Sequence, residues 1–307
     1  MGENKMSTVR EEIQTLKKEK NAVILAHYYV PDEVQECADY IGDSFYLSKK
    51  AKETDADIIV FAGVAFMGES AKILNPDKKV LLPDPTADCA MAHMADVETV
   101  HRMRKAYEDL AVVCYINSTA ELKTCSDVCV TSANAVKVVK ALPNKRIFFI
   151  PDRHLGSYVA DQVPEKEVIL NDGYCPVHHL ITVDQVKKAK EAHPQAEFYV
   201  HPECSREVVE LADYVGSTSG IIARVKDSNA REFLIGTEMG VTYELRKQNP
   251  DKCFYPVQDC QCCADMKKVT LEKVLDCLKN ESNEVLISDE IRKKADKALE
   301  KMLELAK

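Results

Sequence analysis

The chain lacks what several large classes of protein need. No run approaches the roughly 18 apolar residues that cross a membrane. The opening residues, MGENKMSTVREEIQ, hold no apolar core of the kind a signal peptide carries. A cytoplasmic location is therefore expected, with no membrane partner. Positive charge is in deficit: 41 Lys and Arg stand against 50 Asp and Glu, for a formal net charge of −9. That balance speaks against a nucleic-acid partner. It leaves an anionic small molecule open, because the local field decides such binding. Also missing is the paired CxxC…CxxC spacing of a zinc ribbon.

What remains is an ordinary soluble composition, 46% hydrophobic and 30% charged over 307 residues. That length is enough for two or three small domains with a real core. Cysteine is the exception, with twelve in the chain. Cys260, Cys262 and Cys263 fall within four residues, too close to form a disulfide framework. Thiols packed so densely suggest zinc, an iron–sulfur cluster or redox chemistry. Any cluster on this stretch must recruit cysteines from elsewhere in the chain.

Along the chain, short apolar runs alternate with helical patterns. An amphipathic helix is expected over 7–20, then buried strands over 22–26, 57–61 and 79–82. Ile41-Gly-Asp-Ser44 reads as a turn into a helix, with Asp43 and Ser44 as candidate caps. Such alternation implies a parallel α/β sheet. The pattern then recurs twice. His27, Tyr115 and His201 stand 88 and 86 residues apart, and Tyr29, Asn117 and Glu203 repeat both intervals. Ser44, Ser132 and Thr218 each follow 17 residues after the first marker, and Cys89, Cys175 and Cys263 follow 62, 60 and 62 residues after it.

A period near 87 residues suits a small α/β domain. The expected fold is three homologous three-layer αβα domains with short parallel sheets, set around a pseudo-threefold axis. The expected division is an N-terminal helix over 1–20, repeats over 21–95, 96–181 and 182–267, and C-terminal helices over 268–307. Linking helices open the second and third repeats. The last helix should be capped by Ser288 and bury Ile291, Ala295, Ala298, Met302 and Leu305.

Ligands of open parallel sheets sit beyond the carboxyl ends of the strands. The repeated polar residues follow apolar runs, so they should meet in one central cavity. Three cysteines would converge there. Three thiolates leave one iron of a [4Fe–4S] cluster free to act as a Lewis acid in dehydration. Zinc with three thiolates and a water is the alternative, although catalytic zinc more often takes His or carboxylate ligands. The three hydroxyl-bearing helix starts should cap those helices and bind carboxylate or phosphate.

Several stretches together resemble the quinolinate synthase family, the A protein of bacterial and archaeal NAD biosynthesis. They include Leu25-Ala-His-Tyr-Tyr29, Gly42-Asp-Ser44, Leu81-Leu-Pro-Asp84, Thr131-Ser-Ala-Asn134, Gly173-Tyr-Cys-Pro-Val-His178, His201-Pro-Glu-Cys204, Gly216-Ser-Thr-Ser219, Thr237-Glu238 and Cys263-Ala-Asp-Met266. The resemblance covers almost the whole length. It implies an enzyme that condenses iminoaspartate with dihydroxyacetone phosphate, losing phosphate and two waters to give quinolinate. It implies a [4Fe–4S] cluster on Cys89, Cys175 and Cys263, the last chosen by the family's CxxM cysteine. It further implies Glu203 as general base among His27, Tyr29, Tyr115, Asn117, His178 and His201, with Ser44, Ser132 and Thr218 holding charged groups. The expected partners are the two substrates and, transiently, the enzyme that supplies iminoaspartate. Ala65 and Asn171-Asp172 depart from the family pattern, as does the CxCC at 260–263.

Overall fold

The computed structural model describes residues 2–307, with side chains from Thr8 onward; Met1 of the expected opening segment lies outside the described residues. An amphipathic helix, Gly2–Glu19, begins five residues earlier than the sequence pattern suggested. Twelve strands follow in three groups. The first group is β1 (Ala22–His27), β2 (Tyr40–Gly42), β3 (Ile58–Ala62) and β4 (Lys79–Leu81). The second is β5 (Leu110–Tyr115), β6 (Val128–Val130), β7 (Arg146–Ile150) and β8 (Glu167–Leu170). The third is β9 (Glu197–Val200), β10 (Tyr214–Val215), β11 (Glu232–Gly236) and β12 (Cys253–Pro256).

Each group forms one four-stranded sheet, in the orders β2-β1-β3-β4, β6-β5-β7-β8 and β10-β9-β11-β12. Every pairing within these sheets is parallel. The fold class expected from the repeat is thus the one observed. β1 and β5 are buried almost throughout because helices cover both faces, which is why their sequences run apolar without alternation. In each sheet the chain leaves the first strand in one direction and returns on its other side. The crevice between the first and third strands is therefore a topological switch point, the place where open sheets bind ligands.

The short second strands β2, β6 and β10 were not legible as strands. Two or three residues show no periodicity, and Ile41 and Gly42 read as a turn although they pair with Ala26 and His27. The C-terminal helix Asp289–Leu305 is capped by Ser288, whose hydroxyl accepts the Ile291 N–H. It buries Ala295, Ala298, Leu299 and Met302. It lies against β6 and against helices Ala65–Leu74, Ala120–Thr124 and Ala135–Ala141, so it joins the first two sheets into one continuous core. The third sheet has its own core on each face.

Candidate functional site

The first strand of each sheet delivers its marker residues to one cavity. His27, Tyr29, Tyr115, Asn117, His201 and Glu203 all line it, as the repeat anticipated. Two of the strand ends share a local turn. His27 Nδ1 accepts the Tyr29 N–H at 3.2 Å, and His201 Nδ1 accepts the Glu203 N–H at 3.3 Å. Each ring therefore carries its hydrogen on Nε2. Burial pushes His27 down to about 3 and His201 down to about 4, so both are neutral near pH 7.

Glu203 sits at the centre and is 4% exposed. The Tyr115 hydroxyl donates to its Oε1 at 2.6 Å, and His178 Nδ1 lies 2.7 Å from its Oε2. Burial alone would raise this carboxyl. The neighbouring His178 and His201, with the hydrogen bonds from His178 and Tyr115, outweigh burial and hold it below the usual carboxylate range. Tyr29 and Tyr115 are pushed well above their ordinary value, chiefly by burial, and stay neutral donors. Tyr29 bonds Thr218 Oγ1 at 2.7 Å and Thr237 Oγ1 at 2.8 Å, and Thr237 also lies 2.9 Å from His178 Nε2.

The three repeated hydroxyls reach the cavity, but they do not cap the helices. Asp43 caps helix Ser44–Glu53 through the Tyr46 N–H, and Ser217 caps Thr218–Asp227 through the Gly220 N–H. In the second repeat the helix starts later, at Ala135, with Asn134 at the cap position. Ser44 and Thr218 are instead the first helical residues, one step past the cap. This frees their side chains to face the cavity. Ser132 Oγ lies 3.1 Å from His201 Nε2, and Thr218 is bonded to Tyr29.

Of the twelve cysteines, Cys89, Cys175 and Cys263 line the cavity. Cys89 and Cys175 each precede a short helical turn. Cys263 is oriented by a neighbour that sequence reading passed over. Gln261 is fully buried inside the cysteine-rich stretch. Its Oε1 accepts from Val257 and Gln258 N–H, and its Nε2 donates to the Ile235 and Thr237 carbonyls. With Gln261 pinned inward, Cys260 and Cys262 are exposed. Cys263 then turns in, its N–H bonded to Glu238 Oε1 at 3.1 Å. Glu238 is buried, is paired with Lys267 at 3.0 Å and also accepts the Gly240 N–H. Burial raises all three thiols, Cys89 to about 12, so a metal binding there must displace protons. A tighter set exists too: ligand atoms of Cys175, His178 and Glu203 all lie within 4.8 Å of one another.

A family model described as "Quinolinate synthetase A protein" matches residues 11–304. A quinolinate synthase of Caldicellulosiruptor saccharolyticus is 54% identical, across 97% of this chain and 98% of its own. One of Clostridioides difficile is 50% identical, over 96% and 97%. "Quinolinate synthase 2" of Methanosarcina acetivorans is 48% identical, over 97% and 96%. The chain belongs to the quinolinate synthetase A family. Members of this family are enzymes. Among the described residues no helix is long and apolar enough to cross a membrane.

Sequence reading found His178 only through the resemblance to the quinolinate synthase family, and it gave no role to Thr237, Glu238 or Gln261. A signal was available for Glu238. Val64, Asp152 and Glu238 stand 88 and 86 residues apart, the intervals of the other markers, and each precedes the helix that follows its sheet's third strand.

Proposed function

We propose that this chain condenses iminoaspartate with dihydroxyacetone phosphate, releasing phosphate and two waters and forming quinolinate. The observation that carries the reading is Glu203, a buried carboxylate kept ionised by Tyr115 and His178 in a cavity shared with three thiols. Removing protons from carbon beside a carbonyl or imine needs such a base. Neutral Tyr29, Tyr115, His27 and His201 supply donors to oxygens that gain charge. Asn117 Oδ1 and Thr131 Oγ1 line the cavity and have no protein partner, as suits a polar ligand. Ser44, Ser132 and Thr218 are the proposed holders of carboxylate or phosphate.

The donor set fits an iron–sulfur cluster on Cys89, Cys175 and Cys263. A single zinc ion would hold thiolates about 3.8 Å apart, given a Zn–S bond of about 2.3 Å. The group compact enough for one ion is Cys175, His178 and Glu203, and among the described residues the three thiols do not form such a group. A cluster of several irons holds its cysteine sulfurs farther apart than one ion does. Bound there by three cysteines, a [4Fe–4S] cluster supplies an open iron as Lewis acid for dehydration.

The test is anaerobic assay of quinolinate from the two substrates, with iron and sulfide measured. Glu203→Gln should keep iron and sulfide and lose turnover by about 10²–10⁴-fold. Near-normal turnover in this variant moves the base to His201 or Tyr29. A wild-type protein that makes no quinolinate sinks the reaction itself. One zinc per chain in place of about four iron and four sulfide sinks the cluster.

A further inference from the structure

Two imidazole rings that do not line the cavity meet nitrogen to nitrogen. His154 is the second residue of helix Arg153–Gln162, and His179 ends the short helix Pro176–His179. His154 Nε2 lies 3.0 Å from His179 Nδ1, and the ring planes are 22° apart. Both residues are half-buried, so solvent reaches them. Their backbones are fixed. The His154 N–H donates to Asp152 Oδ1 at 2.7 Å, and the His179 N–H to the Cys175 carbonyl at 2.9 Å. The Tyr174 ring packs 4.4 Å from that of His179. Arg153, a neighbouring cation, is engaged by the face of Tyr174 at 4.8 Å and by Asp172 at 2.5 Å. From the third repeat, helix Arg206–Val209 lies against helix Arg153–Gln162, and Arg206 pairs with Asp161 at 2.7 Å. The exposed Glu207 carboxylate is thereby close enough to act on the His154 ring.

We propose that His154 and His179 form a binding site for a divalent transition-metal ion, zinc or a neighbour of zinc, separate from the three thiols. A hydrogen bond accounts for the spacing of the two nitrogens, and a shared ion does so equally. Imidazole binds zinc at about 2.0–2.1 Å, which sets two such nitrogens about 2.9–3.4 Å apart at angles of about 90–110°. The setting favours the ion. Two imidazoles, a carboxylate facing them and access to water are the donors of an open zinc site. Imidazole suits zinc, nickel and copper, whereas magnesium and calcium take oxygen. Each neutral ring ligates through its facing nitrogen and keeps its hydrogen on the other, Nδ1 of His154 and Nε2 of His179. One ring changes tautomer to do so, and both tilt to aim their lone pairs at the ion. No net proton is released. Glu207 swings in as the third donor, and water completes the shell. The ion clasps the turn after Cys175 to the start of helix Arg153–Gln162 and, through Glu207, to the third repeat. The site does not depend on which reaction the cavity performs.

The test uses untagged, cluster-loaded protein kept anaerobic and carrying Cys253→Ser, Cys260→Ser and Cys262→Ser, because these exposed thiols would compete for metal. Dialysed against zinc, this parent should retain one zinc per chain. X-ray absorption at the zinc edge should show nitrogen and oxygen at about 2.0–2.1 Å and no sulfur at about 2.3 Å. Its Tm should rise with added zinc. His154→Asn and His179→Gln each keep a polar group in place of the ring. Either should weaken zinc binding about tenfold or more and remove the rise in Tm at the same zinc concentration. Glu207→Gln should weaken binding less. Iron and sulfide in the two histidine variants should match the parent. Zinc held as tightly by both histidine variants, a sulfur shell around it, or no zinc retained by the parent overturns the site. The absorption spectrum of the parent needs no variant, so it decides the matter even where a substitution prevents folding.

Discussion

At the scale of single residues, Gln261 decides what the three crowded thiols do. A buried amide with all its bonds made cannot turn outward without losing four hydrogen bonds, each worth about 1 kcal/mol net and more if left unmade. Its two flanking cysteines are therefore exposed, and Cys263 is the member of the stretch that reaches the cavity. Cys263→Ser should lose bound iron and activity, while Cys260→Ser and Cys262→Ser keep both. Iron analysis and the visible chromophore of anaerobic protein check this. Full iron in Cys263→Ser would send the ligand role to a neighbour. The resemblance picked Cys263 as the CxxM cysteine, and its 88-residue interval from Cys175 agreed, but neither gave a physical reason for that thiol to face the cavity. The reason is a glutamine side chain bonded to a strand some 25 residues earlier, and no local pattern records that.

At the scale of elements, the recurring unit is a buried strand followed by a tight polar turn. Its markers were legible because covalent spacing is conserved when an entire domain is repeated. Helix starts were legible only to within one residue. Asp43 and Ser44 are both good capping residues, and propensity does not separate them. The backbone does, because Asp43 is extended and its carboxylate accepts the Tyr46 N–H at 2.9 Å. The other Asp43 oxygen accepts the Ser219 hydroxyl at 2.6 Å, which ties the first repeat to the third. Asp43→Ala should cost about 1–2 kcal/mol of stability in urea unfolding. Ser44→Ala should leave stability within about 0.5 kcal/mol and weaken substrate binding by about 1–3 kcal/mol. The reverse pattern would restore Ser44 as the cap.

At the scale of the whole molecule, long-range ties close the three sheets around the cavity. Gly240 shows how closely they meet: an added Cβ would lie 2.7 Å from the Tyr28 carbonyl oxygen and from Tyr29 Cα. Lys267 reaches across from the cysteine loop to the Tyr29 carbonyl at 2.6 Å. On the outer side, Asp84 beyond β4 pairs with Lys273 of helix Leu271–Asn280 at 2.5 Å. Burial opposes ionisation of Asp84, but Lys273 and the Thr86 hydroxyl and N–H outweigh it and hold its carboxyl down at about 2. A carboxyl with a folded-state value below its unfolded value stabilises the protein above about pH 4 and loses that contribution as pH falls toward 2. The pair should be worth up to about 2 kcal/mol near neutrality. Asp84→Asn should be less stable than wild type at pH 6, and in urea unfolding the difference should shrink steadily as pH falls from about 4 through 2. A constant difference across that range would sink the assignment.

The sequence by itself determined the threefold repeat, the alternation of buried strands and helices, and the residue types at each strand end. All of these are carried by covalent spacing and by hydrophobic burial, which a linear pattern records directly. It also carried enough motifs to resemble one enzyme family over nearly the full length. Only the tertiary structure decided which partner each repeated residue takes. Tyr29 of the first repeat bonds Thr218 and Thr237 of the third, Tyr115 of the second bonds Glu203 of the third, and His201 of the third meets Ser132 of the second. Equivalent positions in sequence thus become unlike groups in one cavity, because a hydrogen bond depends on ångström distances between chain segments that spacing along the chain does not encode.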